Sequence, residues 1–239
     1  MFECYHSYAK EFSKALNSVH NGSRNIRDAF GEFLEITSMS FQQALQFDEV
    51  REKEIIAIQN KAEYKEGYAE ALAILVEALT ERAGDFLGEW CGRERVLNAN
   101  KGQFFTPYHI SQLMAKLLVG SITPKENDPM GVSEPTCGSG GMVIAAFEVF
   151  KEEGFNPNQI YFVAQDIDLR CVMMAYIQFV LLDIPAVVKC GNSLTNEVHK
   201  IYITFSMMRN YPFGIPSKRQ GENIEMPIKI EKGQMEFGL

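Results

Sequence analysis

Ser133-Glu134-Pro135-Thr136-Cys137-Gly138-Ser139-Gly140-Gly141-Met142 decides how the rest of the chain is read. An acidic residue and a proline lead into small residues, and three glycines fall within four positions. An apolar run follows at once, with Val143, Ile144, Ala145, Ala146, Phe147, Val149 and Phe150. That order describes a strand that ends in a tight turn and opens a helix. Glycine permits the sharp turn and lets a ligand come close, because no Cβ stands in the way. The free N–H groups of the new helix then face whatever lies over the turn. A glycine-rich β–α turn is also an ordinary connection, so the neighbouring segments carry the decision.

Downstream, the chain alternates. Ile160 to Ala164 is a short continuous apolar strand, with Gln165-Asp166-Ile167-Asp168 at its C-terminal end. Leu169 to Leu182 is a strongly apolar helix, and Ala186 to Cys190 a third strand ending in Gly191-Asn192-Ser193-Leu194. Ile201 to Phe205 reads as a fourth strand. Strand–helix alternation with unbroken apolar strands predicts a parallel sheet covered on both faces, a three-layer α/β arrangement. The polar residues fall just past strand C-termini, where open α/β sheets bind ligands.

Upstream, Lys101-Gly102-Gln103-Phe104-Phe105-Thr106-Pro107 marks a change. Thr106 is a good helix N-cap and Pro107 a good first helical residue. The helix itself carries Ile110, Leu113, Met114, Leu117 and Leu118. Phe104 and Phe105 either staple that helix or wall a pocket. Before about residue 95, helical stripes dominate. Tyr5, Tyr8, Phe12, Leu16 and Val19 form one and Tyr68, Leu72, Leu75, Val76 and Leu79 another. The charged segment 48–65 reads as a solvated helix face. The boundaries expected are therefore a helical domain over 1–95, an α/β core over 96–214 and an irregular tail over 215–239.

The 239 residues are 46% hydrophobic and 23% charged, which excludes disorder as the main state. A net charge of −8 argues against coating nucleic acid by bulk charge, though not against a local basic groove. Five dispersed cysteines without a C-x-x-C pair imply neither a metal site nor a disulfide framework. No basic region followed by an apolar core opens the chain, and Cys171 to Leu182 is too short to span a bilayer. A cytoplasmic protein with no membrane contact is expected.

Taken in order, the motifs resemble those of N6-adenine DNA methyltransferases, specifically the modification subunits of type I restriction systems. Gly102 to Pro107 is similar to that family's first cofactor motif. Glu134-Pro135-Thr136-Cys137-Gly138-Ser139-Gly140-Gly141-Met142 matches its S-adenosylmethionine turn, with Glu134 where Asp is more usual. Asp166 falls where the family holds the ribose, beside Ile167, which can pack on adenine. Gly191-Asn192-Ser193-Leu194 matches the next motif, with Asn192 in place of an aspartate. Implied cofactor contacts are thus Gln103 to Pro107, Glu134 to Gly141, Asp166, Ile167, Asn192 and Ser193. From the residues alone, Asp166 could instead cap a helix and Asn192 could be a turn residue.

The family's Asn-Pro-Pro-Phe/Tyr tetrapeptide is absent. Asn210-Tyr211-Pro212-Phe213-Gly214 stands about where it belongs. The resemblance implies that Asn210 and the following carbonyl orient the target amine, that Pro212 keeps the motif's second proline and that Phe213 stacks on a flipped adenine. Only 25 residues follow Gly214. The expected fold is therefore a Rossmann-like class I methyltransferase core, C-terminally incomplete, behind a helical N-terminal domain. The resemblance also implies double-stranded DNA as substrate, a separate specificity subunit, and a homodimer or partner chain completing the sheet. Two functions stay open: an adenine methyltransferase, or a catalytically impaired S-adenosylmethionine-binding module in a modification or restriction complex. A plain nucleotide-binding α/β protein is the third reading, and Phe104 to Pro107 counts against it.

Overall fold

The computed structural model describes residues 5–96, 105–120, 122, 129–212, 228–231 and 234–237. Helices come first: α1 (His6–Ser18), α2 (Ile26–Leu45), α3 (Glu49–Gln59), α4 (Glu66–Glu81) and α5 (Phe86–Glu94). Phe12 is their hub, meeting Phe33, Phe86 and Trp90 edge-on at 5.3, 5.4 and 5.1 Å between ring centres. All four side chains are buried. Asn21 and Gly22, both at positive φ, break α1 from α2. In α3 only Ile55 is buried, so the charged segment is the solvated face its composition predicts.

Next come α6 (Tyr108–Val119), β1 (Met130–Glu134), α7 (Gly141–Glu152), β2 (Ile160–Asp166), α8 (Leu169–Leu181), β3 (Ala186–Asn192), β4 (Glu197–Ile203) and α9 (Phe205–Asn210). The sheet order is β1-β2-β3-β4. β1 and β3 run parallel to β2, with Val132 opposite Phe162 and Ala164 opposite Val188. The face bearing Ile160, Phe162, Ala164, Ala186 and Val188 is buried. Phe147 and Phe150 of α7 pack on Phe162, and α8 lies along β2 and β3. On the other face Val187 packs with Met207, Met208 and Tyr211, while Tyr161 and Val163 stay half-buried. The second helical layer expected there is, among the described residues, only α9 and the end of α2.

This is the α/β fold expected, with a helical region in front of a Rossmann-like sheet. The fourth strand departs from the expectation, because β4 runs antiparallel to β3. The reason is the connection. A parallel return needs a dozen or more residues, and only Ser193, Leu194, Thr195 and Asn196 separate the two strands. Asn196 adopts a positive φ of 59° within that turn. Thr204 then anchors the far end. Its hydroxyl accepts from the Ala186 N–H at 2.9 Å and donates to the Ile184 carbonyl at 2.8 Å. The tail also differs from an irregular segment: β5 (Ile228–Glu231) and β6 (Gln234–Phe237) pair as an antiparallel hairpin.

The helices of residues 5–96 share one continuous core with the sheet's buried face. α2, α4 and α5 all lean on α8. That packing brings the start of α5 against the glycine-rich turn.

Candidate cofactor-binding site

A cleft of about 880 Å3 opens at the C-terminal ends of β1 and β2. The glycine turn forms its floor. Gly138 is at φ +54°, a conformation that L side chains rarely adopt, and a Cβ there would approach the Phe105 ring to 3.0 Å. Asp166, at the end of β2, fastens the turn. Its Oδ2 accepts from the Gly138 N–H and its Oδ1 from the Asp168 N–H, both at 2.9 Å. Asp168, not Asp166, caps α8, accepting from the Arg170 N–H at 2.8 Å. That settles the alternative reading of Asp166 as a cap. Glu134 closes the turn's other side, accepting from the Thr136 N–H at 3.1 Å.

Phe105, Thr106, Glu134, Thr136, Cys137, Gly138, Ser139, Gly141, Asp166 and Ile167 line this cleft together. Gly140 lies behind the wall, against Phe179. Pro107 and Pro135 are exposed and do not line it. Thr106 does not cap α6: the helix begins at Tyr108 with Pro107 as N-cap and no side-chain cap bond. Asn192 belongs to the β3–β4 turn, where its Oδ1 accepts from the Leu194 N–H at 2.9 Å. Neither it nor Ser193 lines the cleft. Gln103, Phe104 and Phe213 lie outside the described residues.

The residues expected to be catalytic are elsewhere. Because β4 is reversed, its C-terminal residue Ile203 pairs with Val187 at the start of β3. Asn210 ends α9 beyond it. Tyr211 stacks edge-on with Tyr161 at 5.5 Å and donates to the Asn158 carbonyl at 3.1 Å. These are contacts at the N-terminal end of β2. The seven residues of β2 put Asp166 about 20 Å from that end. Asn210 and Pro212 are therefore not brought to the glycine turn.

Asp85 is the residue that sequence reasoning missed. It caps α5 through the Gly88 N–H at 3.0 Å. It also receives the Ser139 hydroxyl at 2.6 Å and the Gln178 amide at 3.0 Å. Gln178 in turn donates to the Ser139 carbonyl and accepts from the Leu87 N–H. Gly141 makes this approach possible, since a Cβ there would stand 2.8 Å from Asp85 Oδ2. Burial pushes the Asp85 carboxyl above the ordinary range, against the three donors that pull it down. The local signal, an aspartate three residues before Gly88, reads as a helix cap. Nothing local tells that it meets a turn 54 positions away.

Ser111 was also missed. Its hydroxyl is wholly buried, lines the cleft from α6 and has no partner among the described residues. The thiols of Cys137 and Cys171 line it too. Burial first, and nearby carboxylates second, push both well up, so they face the cleft as neutral thiols.

Fold and cleft together define a Rossmann-like protein with a glycine-turn cleft at the C-terminal ends of its parallel strands. Residues 93–233 match the N-6 DNA methylase family, and the chain belongs to that family. Two solved structures are similar to it. One, from Listeria monocytogenes, is assigned to class I S-adenosylmethionine-dependent methyltransferases. It is 17% identical with a TM-score of 0.45, over 80% of this chain and 55% of that one. The other is the methyltransferase subunit of a type I restriction-modification system from Streptococcus thermophilus. It is 12% identical with a TM-score of 0.43, over 82% of this chain and 60% of that one. The chain thus spans less than two thirds of the length of either structure. No curated protein matches the sequence.

The cleft fits S-adenosylmethionine on its own geometry. The Cβ-free Gly138 leaves room for a ligand over the turn. Asp166 keeps acceptor capacity beyond its two backbone bonds, and the orphaned Ser111 hydroxyl awaits a polar partner. Among the described residues, no helix is long and apolar enough to cross a membrane.

Proposed function

We propose that the chain binds S-adenosylmethionine in this cleft and works as a cofactor-holding module of DNA adenine methylation, within a modification or restriction complex in the cytoplasm. What carries the reading is the separation along the sheet. The glycine turn, Asp166 and the start of α6 converge at one end, while Asn210 and Pro212 lie about 20 Å away at the other. In this reading Asp166 accepts the ribose hydroxyls, and Ile167, 69% exposed, packs on the adenine face. The N–H groups at the start of α6 and the Ser111 hydroxyl face the methionine carboxylate. The bound cofactor supplies an electrophilic methyl group on a sulfonium.

The DNA and its specificity subunit engage through a partner chain or a second copy of this one. Two features support that. β1 is an edge strand among the described residues, and α6 exposes Leu113, Leu117 and Leu118 at 56%, 72% and 64%. The same features favour a second reading, in which a partner completes an active adenine-N6 methyltransferase around this cleft.

Calorimetric titration with S-adenosylmethionine, followed by methyl transfer to adenine-containing double-stranded DNA, tests both. Saturable binding without transfer by the chain alone is expected. Transfer that appears only with a specificity subunit and partner chain favours the second reading. Transfer by the chain alone that Asn210→Ala abolishes would refute the module.

A further inference from the structure

Among the described residues, the charged groups that line the cleft are all acidic. Asp85, Glu134, Asp166 and Asp168 line it, and among those residues no lysine, arginine or histidine does. Asp85 is the unusual member. It is 3% exposed, and the groups that hold it, from Gly88, Ser139 and Gln178, are all neutral donors. Neutral donors offset only part of the cost of burying a charge; a buried carboxylate is ordinarily matched by a cation. A second feature points to a ligand. The Ser111 hydroxyl, wholly buried and without a partner among the described residues, faces the same cleft.

We propose that the cleft selects a net cationic ligand, with Asp85 as the buried counter-charge. It takes S-adenosylmethionine in preference to S-adenosylhomocysteine, the same molecule without the methyl group and its positive charge. The inference rests on the cofactor reading above. The two ligands share adenine, ribose, ammonium and carboxylate. Contacts to those shared groups therefore cannot tell them apart, and steric fit favours the smaller. Glu134, Asp166 and Asp168 are partly exposed and screened by water, so the buried Asp85 carries most of any charge discrimination. The charge on sulfur can. In a partly desolvated cleft one carboxylate several ångströms away is enough for about a tenfold difference. The same field loosens the hold on the ligand once its methyl group has gone.

Calorimetry of the full chain with each ligand tests this. The parent is expected to bind S-adenosylmethionine about tenfold tighter. Asp85→Asn keeps the shape of the side chain and removes its charge. It is expected to bring the two affinities within about threefold, chiefly by weakening S-adenosylmethionine. Equal affinities in the parent, a measurement that needs no variant, would overturn the proposal. So would a preference that survives Asp85→Asn, or a variant that weakens both ligands alike. Should Asp85→Asn fail to fold, Ser139→Ala removes one donor and leaves the charge. It is expected to keep the preference, and a lost preference there overturns the proposal. If neither ligand binds the parent, the cofactor reading itself has failed, a result distinct from equal affinities.

Discussion

Replacing Asp166 by alanine removes a carboxylate that serves two backbone neighbours and, on the proposed reading, the ribose as well. It leaves the Gly138 and Asp168 N–H groups without their acceptor, and it strips the cleft of the group assigned to the ribose. A hydrogen bond to a charged group contributes about 1.5–3 kcal/mol, and the half-exposed position lets water replace part of that. The stability cost should be about 1–2 kcal/mol, or a fall of about 2–8 °C in melting temperature for a chain of this size. The loss in binding should be about 1.5–3 kcal/mol, roughly 10- to 150-fold in Kd for S-adenosylmethionine. Calorimetry gives the second figure and a thermal melt the first. Gly138→Val separates the turn from the carboxylate, since it strains a residue at φ +54° and presses on Phe105. A Kd for Asp166→Ala within twofold of the parent would refute the reasoning. If Gly138→Val alone abolished binding, the turn would hold the ligand without help from Asp166.

Three further outcomes are expected. Gly141→Ala places a Cβ 2.8 Å from Asp85 Oδ2 and should lower stability by about 1–3 kcal/mol, read by chemical denaturation. Burial alone would raise the Glu32 carboxyl, but bonds from His20 and Tyr68 and the nearby Arg24 outweigh it and leave it below the ordinary carboxylate value. A lowered folded value means stability that is present above the unfolded value and lost as pH falls through the folded one, so Glu32→Gln should flatten the acid side of a melting-temperature profile. A Leu113→Glu/Leu117→Glu double variant should weaken association with a partner or second copy in light scattering. It should leave stability within about 0.5 kcal/mol per site, because both side chains are more than half exposed.

Much of the fold was legible because it is written locally. The stripe through Phe12, Leu16 and Val19 is buried as its spacing requires. Continuous apolar strands gave β2 and β3, and the glycine turn gave the β1–α7 connection. Thr106 and Pro107 were read one position out, a matter of where a helix end frays. Two things were not legible. The direction of β4 depends on the length of a turn, and that length depends on the strand beginning at Glu197 rather than near Ile201. Its first four residues are exposed and three of them, Glu197, His199 and Lys200, are polar, so they carry no continuous apolar strand signal. Asp85 reads locally as a helix cap. Its meeting with Ser139 is a product of α5 packing on α8, which no short-range pattern encodes.

On the proposed reading, the reversal of β4 also limits where an acceptor base could come from. Presenting Asn210 at the glycine turn would require the hairpin to open. Six register pairs hold β4 to β3, and Thr204, fully buried, ties its end to Ile184 and Ala186 through its hydroxyl. Leaving those buried polar groups unpaired would cost about 1–3 kcal/mol each, on top of the ladder itself. The hairpin is therefore no loose flap, and α9 with Tyr211 is braced against Asn158 and Tyr161 at the far end. If the cleft holds S-adenosylmethionine, as proposed, an adenine directed at its methyl group would be oriented by groups from another direction. β1, an edge strand among the described residues, ends at Glu134 in the cleft wall, where such groups would enter.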